Sequence, residues 1–296
     1  MRNLGAGSLR MGCLLWRKGC WMGVRGFASD SGLVTVEQRN GLRRILLNDS
    51  KSRNSLSTRM MDDLINAIED GRSSLDLRCI AIGATPGPVF SAGHNLKELT
   101  SDCGTEAQKA VFSKCEELMK SVKKSEVPVF AFVNGLAAAA GCQLVAACDF
   151  AIATETSKFS TPGANFGIFC TTPGVDVARV VNRSIAAYMV LTGLPLSAQQ
   201  ALNAGLIVRV VPEDQLDAAV DEIYTSIKNK SRSVLKLGKE YFYKQIQLPY
   251  DQALRQGGQV MVENLSFEDS QEGLRSFKEK RKPTWSHDST KLASCD

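Results

Sequence analysis

Residues 128–149 read Pro-Val-Phe-Ala-Phe-Val-Asn-Gly-Leu-Ala-Ala-Ala-Ala-Gly-Cys-Gln-Leu-Val-Ala-Ala-Cys-Asp. Positions 129–133 are apolar, β-branched and aromatic and have strand length. Asn134-Gly135 is a turn signal, and the Ala-rich segment after it, carrying Leu144 and Val145, has the composition of a buried helix. The stretch is therefore expected to fold as strand, tight turn and helix. Small side chains at 135–141 let a ligand approach the backbone, and the free N–H groups of a helix's first turn point outward with partial positive charge. That arrangement suits an oxygen acquiring negative charge. The same small residues would equally serve a close helix–sheet contact.

A second segment, residues 90–99, reads Phe-Ser-Ala-Gly-His-Asn-Leu-Lys-Glu-Leu and follows an apolar strand at 79–83 and the loop Pro86-Gly87-Pro88. Together with Asn-Gly-Leu-Ala-Ala-Ala-Ala-Gly-Cys-Gln-Leu at 134–144 and Ile-Phe-Cys-Thr-Thr-Pro-Gly at 168–174, it resembles the enoyl-CoA hydratase/isomerase (crotonase) superfamily, over residues 33–285. The resemblance implies an α/β fold, a ClpP/crotonase spiral of ββα units, with a C-terminal helical region that packs between subunits of a homotrimer or hexamer and closes the CoA site. It implies an oxyanion hole made by the backbone N–H groups of His94 and Ala140. Ala92, Asn95 and Leu96 would lie along the acyl-CoA path, and Lys51 or Arg53 would meet the CoA phosphates. Phe277 and Lys280 fall where the family places a pocket wall and an adenine-end cation. Read as residues alone, Lys51 and Arg53 are equally solvated surface charges, Phe277 is core, and the Lys/Arg run at 278–282 is a solvated helix end.

Hydratases of this family use two glutamates, one to activate water and one to handle the α-proton. Here those positions are Gln143 and Gly163. An amide orients water but does not accept a proton at a useful pKa, and glycine has no side chain, so these residues argue against hydration by the standard mechanism. The nearest alternative acid is Asp176, beyond a short insertion at 168–172; its other reading is a first-turn aspartate that stabilises a helix dipole. Three functions follow from the resemblance. One is a CoA-thioester lyase or isomerase using Asp176, the His94 side chain or a remodelled pocket as its base. Another is a carboxyacyl-CoA decarboxylase-like enzyme in which Gln143 binds the departing carboxylate. The third is a non-catalytic acyl-CoA binder in lipid metabolism.

The chain has 296 residues, 44% of them hydrophobic, enough for a sizeable core. No apolar run reaches membrane-spanning length. Residues 1–27 hold Arg2, Arg10, Arg17, Lys18 and Arg25 and no acid, which accounts for the whole formal charge of +5. Nucleic-acid binding thereby loses its main support. That basic, acid-free leader has the composition of a mitochondrial transit peptide, with processing expected near Phe27 and the matrix as destination. The nine cysteines form no CxxC pair, and His94 and His287 are the only histidines, so no zinc site is expected and the thiols read as reduced core residues. No dinucleotide fingerprint occurs, leaving a CoA thioester as the expected ligand and no separate cofactor.

Along the rest of the chain, residues 33–38 and 42–47 form a hairpin across Asn40-Gly41, which is expected to open the domain. Helices are expected at 58–70 after a cap at Ser57 and at 106–124 with Val111, Cys115, Leu118, Met119 and Val122 on one face. Residues 150–153 read as a strand, 159–167 as turns, 173–182, 186–192 and 197–204 as helices, and 207–211 as the last strand. From residue 213 the periodicity is helical throughout. The expected organisation is a leader at 1–27, an α/β core at 28–212 and a helical region at 213–296.

Overall fold

The computed structural model describes residues 25–28 and 32–292. Among these the strands are β1 (Arg25–Ala28), β2 (Val34–Arg39), β3 (Leu42–Leu47), β4 (Cys79–Ala84), β5 (Val89–Ser91), β6 (Val129–Val133), β7 (Leu136–Ala138), β8 (Phe150–Thr154), β9 (Lys158–Ser160), β10 (Leu196–Ser197) and β11 (Arg209–Val211). The helices are α1 (Thr58–Glu69), α2 (Gly104–Lys124), α3 (Ala140–Ala147), α4 (Thr171–Val180), α5 (Arg183–Thr192), α6 (Ala198–Ala204), α7 (Leu216–Lys228), α8 (Arg232–Gln245), α9 (Tyr250–Leu265) and α10 (Glu268–Lys278).

Seven strands form one sheet in the order β1-β2-β3-β4-β6-β8-β11, and four form a second, β10-β9-β7-β5. From β3 onward the large sheet is parallel, and β6 is buried along its whole length, as a strand covered on both faces must be. One face packs on α7 through Phe130, Ile152, Leu216 and Val220; the other carries the main core, including α1, α2 and α3. Two of the strand pairs repeat a pattern: β4-β5 and β6-β7 each place the first strand in the large sheet and the second in the small one before a helix follows. The third pair, β8-β9, does the same. This is the expected succession of ββα units.

The hairpin turn holds as expected, with Asn40 and Gly41 both at positive φ (52° and 97°). Ser57 caps α1 by accepting from the Met60 N–H at 3.2 Å. The sheet nevertheless starts one strand before that hairpin, because β1 pairs antiparallel with β2, Phe27 opposite Val36. Residues 1–24 of the expected transit peptide lie outside the described residues.

Two local expectations are corrected. The Ala-rich segment is not helical from its start: residues 136–138 are β7, paired in parallel with both β5 and β9, and the helix begins only at Ala140. Alanine's helix preference, a few tenths of a kcal/mol per residue over most alternatives, is outweighed by two ladders of backbone hydrogen bonds. The turn-rich stretch at 159–167 likewise opens with strand β9, and its remainder is a 3₁₀ turn, Pro162–Phe166.

The C-terminal helices are tied to the core through buried polar contacts, Arg232 donating to the Leu77 carbonyl at 3.1 Å and to Glu126 at 3.1 Å, and a second cluster centring on Lys239. The Lys239 ammonium donates to the carbonyls of Val122 and Val127 (3.2 Å each) and to Asp149 (2.8 Å), while the Tyr243 hydroxyl donates to the other Asp149 oxygen at 2.7 Å. In contrast α9 has no buried residue and exposes Tyr250, Leu254, Met261 and Val262. No helix among the described residues is long and apolar enough to cross a membrane.

Candidate functional site

The turn after β5 and the start of α3 meet because residue 93 is glycine. Gly93 has φ +89°, and a Cβ there would stand 2.8 Å from the Ala139 Cβ, 2.9 Å from the Ala138 carbonyl oxygen and 3.1 Å from the Ala140 nitrogen. Only a residue without a side chain permits that approach. The Leu56 N–H donates to the Gly93 carbonyl at 2.8 Å and the Ser91 hydroxyl accepts from the Gly93 N–H at 3.2 Å, which fixes the turn. The His94 N–H follows this turn, and the Ala140 N–H is the first of α3; neither meets an acceptor among the described residues. Ala140 itself is helical. The residue that carries backbone strain is its neighbour Ala139, at φ 49°, ψ −119°, a conformation that costs an L residue about 1–3 kcal/mol.

Beside these donors lies a cavity of about 350 Å³. Its walls come from Leu96, Leu99 and Phe112 on one side and Phe166, Ile168 and Phe169 on the other. His94, Cys170, Thr171 and Thr172 are its polar side chains, and no Asp, Glu, Lys or Arg is among the lining residues. The His94 ring meets Phe112 edge-on at 5.5 Å between centroids, 86° between planes. Burial pushes its pKa below the ordinary 6.5, and the nearby Leu56 carbonyl and Glu98 oppose that shift only in part.

The two positions where the family's hydratases carry glutamates face different fates. Gln143 is buried but does not line the cavity: its Nε2 donates to Asp176 at 2.9 Å and its Oε1 accepts from the Cys115 thiol at 3.7 Å. Asp176 in turn accepts from Lys123 at 2.5 Å and is 5% exposed. Gln143 and Asp176 are thus brought together, as each other's partners. Asp176 does not sit in a helix's first turn either: α4 begins at Thr171, two residues before the expected Pro173, which puts Asp176 over a turn inside the helix and on its buried face. At Gly163 a Cβ would meet the Ile168 carbonyl at 2.1 Å and the Cys170 sulfur at 2.7 Å, because the loop at 163–170 folds back, with the Ile168 N–H on the Gly163 carbonyl (3.0 Å) and the Gly163 N–H on the Cys170 sulfur (3.2 Å).

Of the remaining predicted residues, Ala92 and Leu96 line the cavity. Asn95 does not; it caps the turn at Leu96–Glu98, accepting from the Lys97 N–H and donating to Glu98 (3.2 Å each). Lys51 and Arg53 are exposed on a loop laced to the same region through the Arg53 carbonyl, which accepts from the Ala92 N–H at 3.0 Å. Phe277 and Lys280 do not line the cavity, and Phe277 is 86% exposed rather than core, because α10 turns it away from every buried cluster. The thiols of Cys115 and Cys142 are pushed up to about 12 by burial and that of Cys170 is raised as well, so none is poised as a nucleophile. Sequence reasoning missed the wall residues Phe112, Phe166 and Phe169. The available signal was Phe112 standing off the apolar stripe of α2.

A family model described as enoyl-CoA hydratase/isomerase matches residues 37–288. Enoyl-CoA hydratase domain-containing protein 3, mitochondrial, of Mus musculus is 48% identical over 265 residues, 90% of this chain and 88% of its own length. The Homo sapiens protein of the same name is 48% identical over 255 residues, 86% of this chain and 84% of its own length. The crystal structure of human enoyl coenzyme A hydratase domain-containing protein 3 is similar with a TM-score of 0.84 at 47% identity, covering 86% of this chain and 100% of that one. That of an enoyl-CoA hydratase from Mycobacterium smegmatis gives 0.82 at 36% identity, covering 86% and 98%.

Proposed function

The chain belongs to the enoyl-CoA hydratase/isomerase family and has its crotonase fold, and from that premise we propose that it is a mitochondrial protein that binds acyl-CoA thioesters and stabilises the thioester oxygen as an enolate. One observation supports this reading: His94 and Ala140, whose backbone N–H groups meet no acceptor among the described residues, both line an apolar cavity. Preorganised donors of this kind act where charge develops, and losing one typically costs about 2.7–4 kcal/mol of transition-state stabilisation. The cavity's apolar walls suit an uncharged acyl chain. Lys51 and Arg53, exposed beside Ala92, are the cations on the CoA side. The name of the mitochondrial relatives and the basic leader at 1–27 both support import, with the matrix as the compartment. The exposed apolar residues of α9 support a homotrimer or hexamer.

Standard hydration is disfavoured because Gln143 is spent on Asp176 and Gly163 has no room for a side chain. The decarboxylase-like reading is weakened by the same Gln143 contact and by the absence of a cation among the lining residues. A second reading, thioester binding without turnover, is favoured by the absence of any carboxylate from the cavity wall. The test is a mass-spectrometric turnover screen against enoyl-, hydroxyacyl- and carboxyacyl-CoA, with binding measured in parallel by calorimetry. Binding of uncharged acyl-CoA is the expected result. Absence of any thioester binding overturns the site assignment, and robust hydration overturns the reading of Gln143 and Gly163.

A further inference from the structure

Resting on the thioester-binding reading above, we infer that the His94 side chain, beyond its backbone N–H, is the proton-transfer group of this cavity: its neutral ring removes the α-proton of a bound, uncharged acyl-CoA. No carboxylate or amine lines the cavity, the Cys170 sulfur is occupied by the Gly163 N–H, Asp176 is buried outside it against Gln143 and Lys123, and Glu98, the acid that acts on the ring, lies outside the lining and accepts from Thr58 and Asn95. The imidazole is the one lining side chain that exchanges a proton near neutral pH.

Its two ring nitrogens are both shielded from solvent, and neither makes a well-formed hydrogen bond among the described residues, the Leu56 carbonyl lying near enough only to favour the protonated ring. Buried polar atoms are ordinarily satisfied, so an imidazole left unpaired on a cavity wall points to a group that arrives with the ligand. Phe112 packs edge-on against the ring and limits its orientation. Burial of the ring favours the free base. The loop at 161–173 faces it with Cys170, α3 with Ala140 and α2 with Phe112; the Leu56 carbonyl and Glu98 favour the protonated ring, but burial outweighs them. A neutral ring at pH 7 is the form that accepts a proton.

The step balances without a co-reactant. The α-carbon's C–H bond breaks, its electron pair forms the enolate double bond, the thioester oxygen takes the negative charge toward the His94 and Ala140 N–H groups, and the ring nitrogen gains the proton to become imidazolium. Return of a proton to the same carbon regenerates the thioester. Delivery to the γ-carbon of the dienolate from a β,γ-unsaturated chain instead shifts the double bond, so the substrate class includes unsaturated acyl thioesters without charged groups. The cavity is more than twice the roughly 150 Å³ void that admits a benzene ring, room for an unbranched chain of about eight carbons.

The test is α-deuteration of octanoyl-CoA by the full chain in D₂O, followed by mass spectrometry, with Kd measured by calorimetry on the same samples. Wild type, His94→Gln and His94→Phe all keep the backbone N–H. The expected result is exchange by wild type and at least a 100-fold loss in both variants when each is saturated with octanoyl-CoA according to its own Kd. The wild-type rate should also fall toward acid pH as one group protonates, a limb measurable even where a variant misfolds. Binding without exchange in wild type, a flat acid limb, or exchange within tenfold of wild type in His94→Gln overturns the inference. No binding by wild type overturns the thioester reading itself and this inference with it.

Discussion

The two sides of the cavity are built by different means. On one side His94 and Ala140 offer main-chain N–H groups, held in place by the close approach of Gly93 to residues 138–140. On the other, the positions that hold glutamates in hydratases carry a glutamine turned away from the cavity into a buried cluster with Asp176, Lys123 and Cys115, and a glycine covered by its own loop. A backbone donor depends on chain path alone and survives changes of side chain. Proton transfer depends on one functional group in one direction, and a single substitution removes it. In the proposed reading, the backbone donors for an enolate oxygen remain while both carboxylate positions are lost.

Restoring a carboxylate by Gly163→Glu is the strongest attempt to break this comparison. With the Ile168 carbonyl 2.1 Å from the new Cβ, the loop must move, and a stability loss of about 3 kcal/mol or more is expected in urea unfolding, with no gain in hydration. A folded variant that hydrates crotonyl-CoA would show that the loop yields and that the two sides are interchangeable. Asp176→Ala comes next. It strips a buried, paired carboxylate from Gln143 and from the half-buried Lys123, so about 2 kcal/mol of stability should be lost, with octanoyl-CoA affinity unchanged within threefold. Loss of binding instead would mean the buried cluster supports the cavity directly.

A smaller effect sharpens the backbone side. Ala139→Gly relieves a residue at φ 49°, and after glycine's own entropic cost a gain of about 1 kcal/mol is expected by thermal unfolding, without loss of binding. The smallest effect separates the cavity from the C-terminal tail by pH. His287 accepts from the Arg78 guanidinium at 2.8 Å, which requires its Nε2 to be unprotonated, and burial together with Arg78 lowers its pKa from the ordinary 6.5, Asp269 opposing and Arg232 adding. The unfolded chain then binds more protons than the folded one between that lowered value and 6.5, so stability should decline as pH falls through this window. Trp285, the sole tryptophan after position 21, donates to the Asn229 carbonyl at 3.0 Å and reports tail docking by fluorescence. His287→Gln should flatten the tail's pH response, whereas His94→Gln should leave it in place.

Much of the framework follows from patterns within a few residues of one another. The apolar run of β6, the Ser57 cap and stripe of α1, the face of α2 and the helical period after residue 213 all depend on local periodicity, and each element forms where that periodicity predicts it. The three-residue strands β5, β7 and β9 escaped that reading, because so short a segment has no period of its own. They exist only as mutual partners drawn from positions 89–91, 136–138 and 158–160.

For the site the division is the same. The sequence by itself determined that the segments at 90–99 and 134–141 allow close approach to the backbone, since their glycines and small residues mark it, whereas His94 and Ala140 as donors and the two absent carboxylates follow from the family resemblance. Only the tertiary structure decided that Gln143 turns to Asp176, 33 positions away, that the loop closing over Gly163 leaves no space, and that the His94 ring faces the cavity unpaired beside Phe112. A side chain's direction is chosen by its partners, and those partners come from parts of the chain that no local pattern connects.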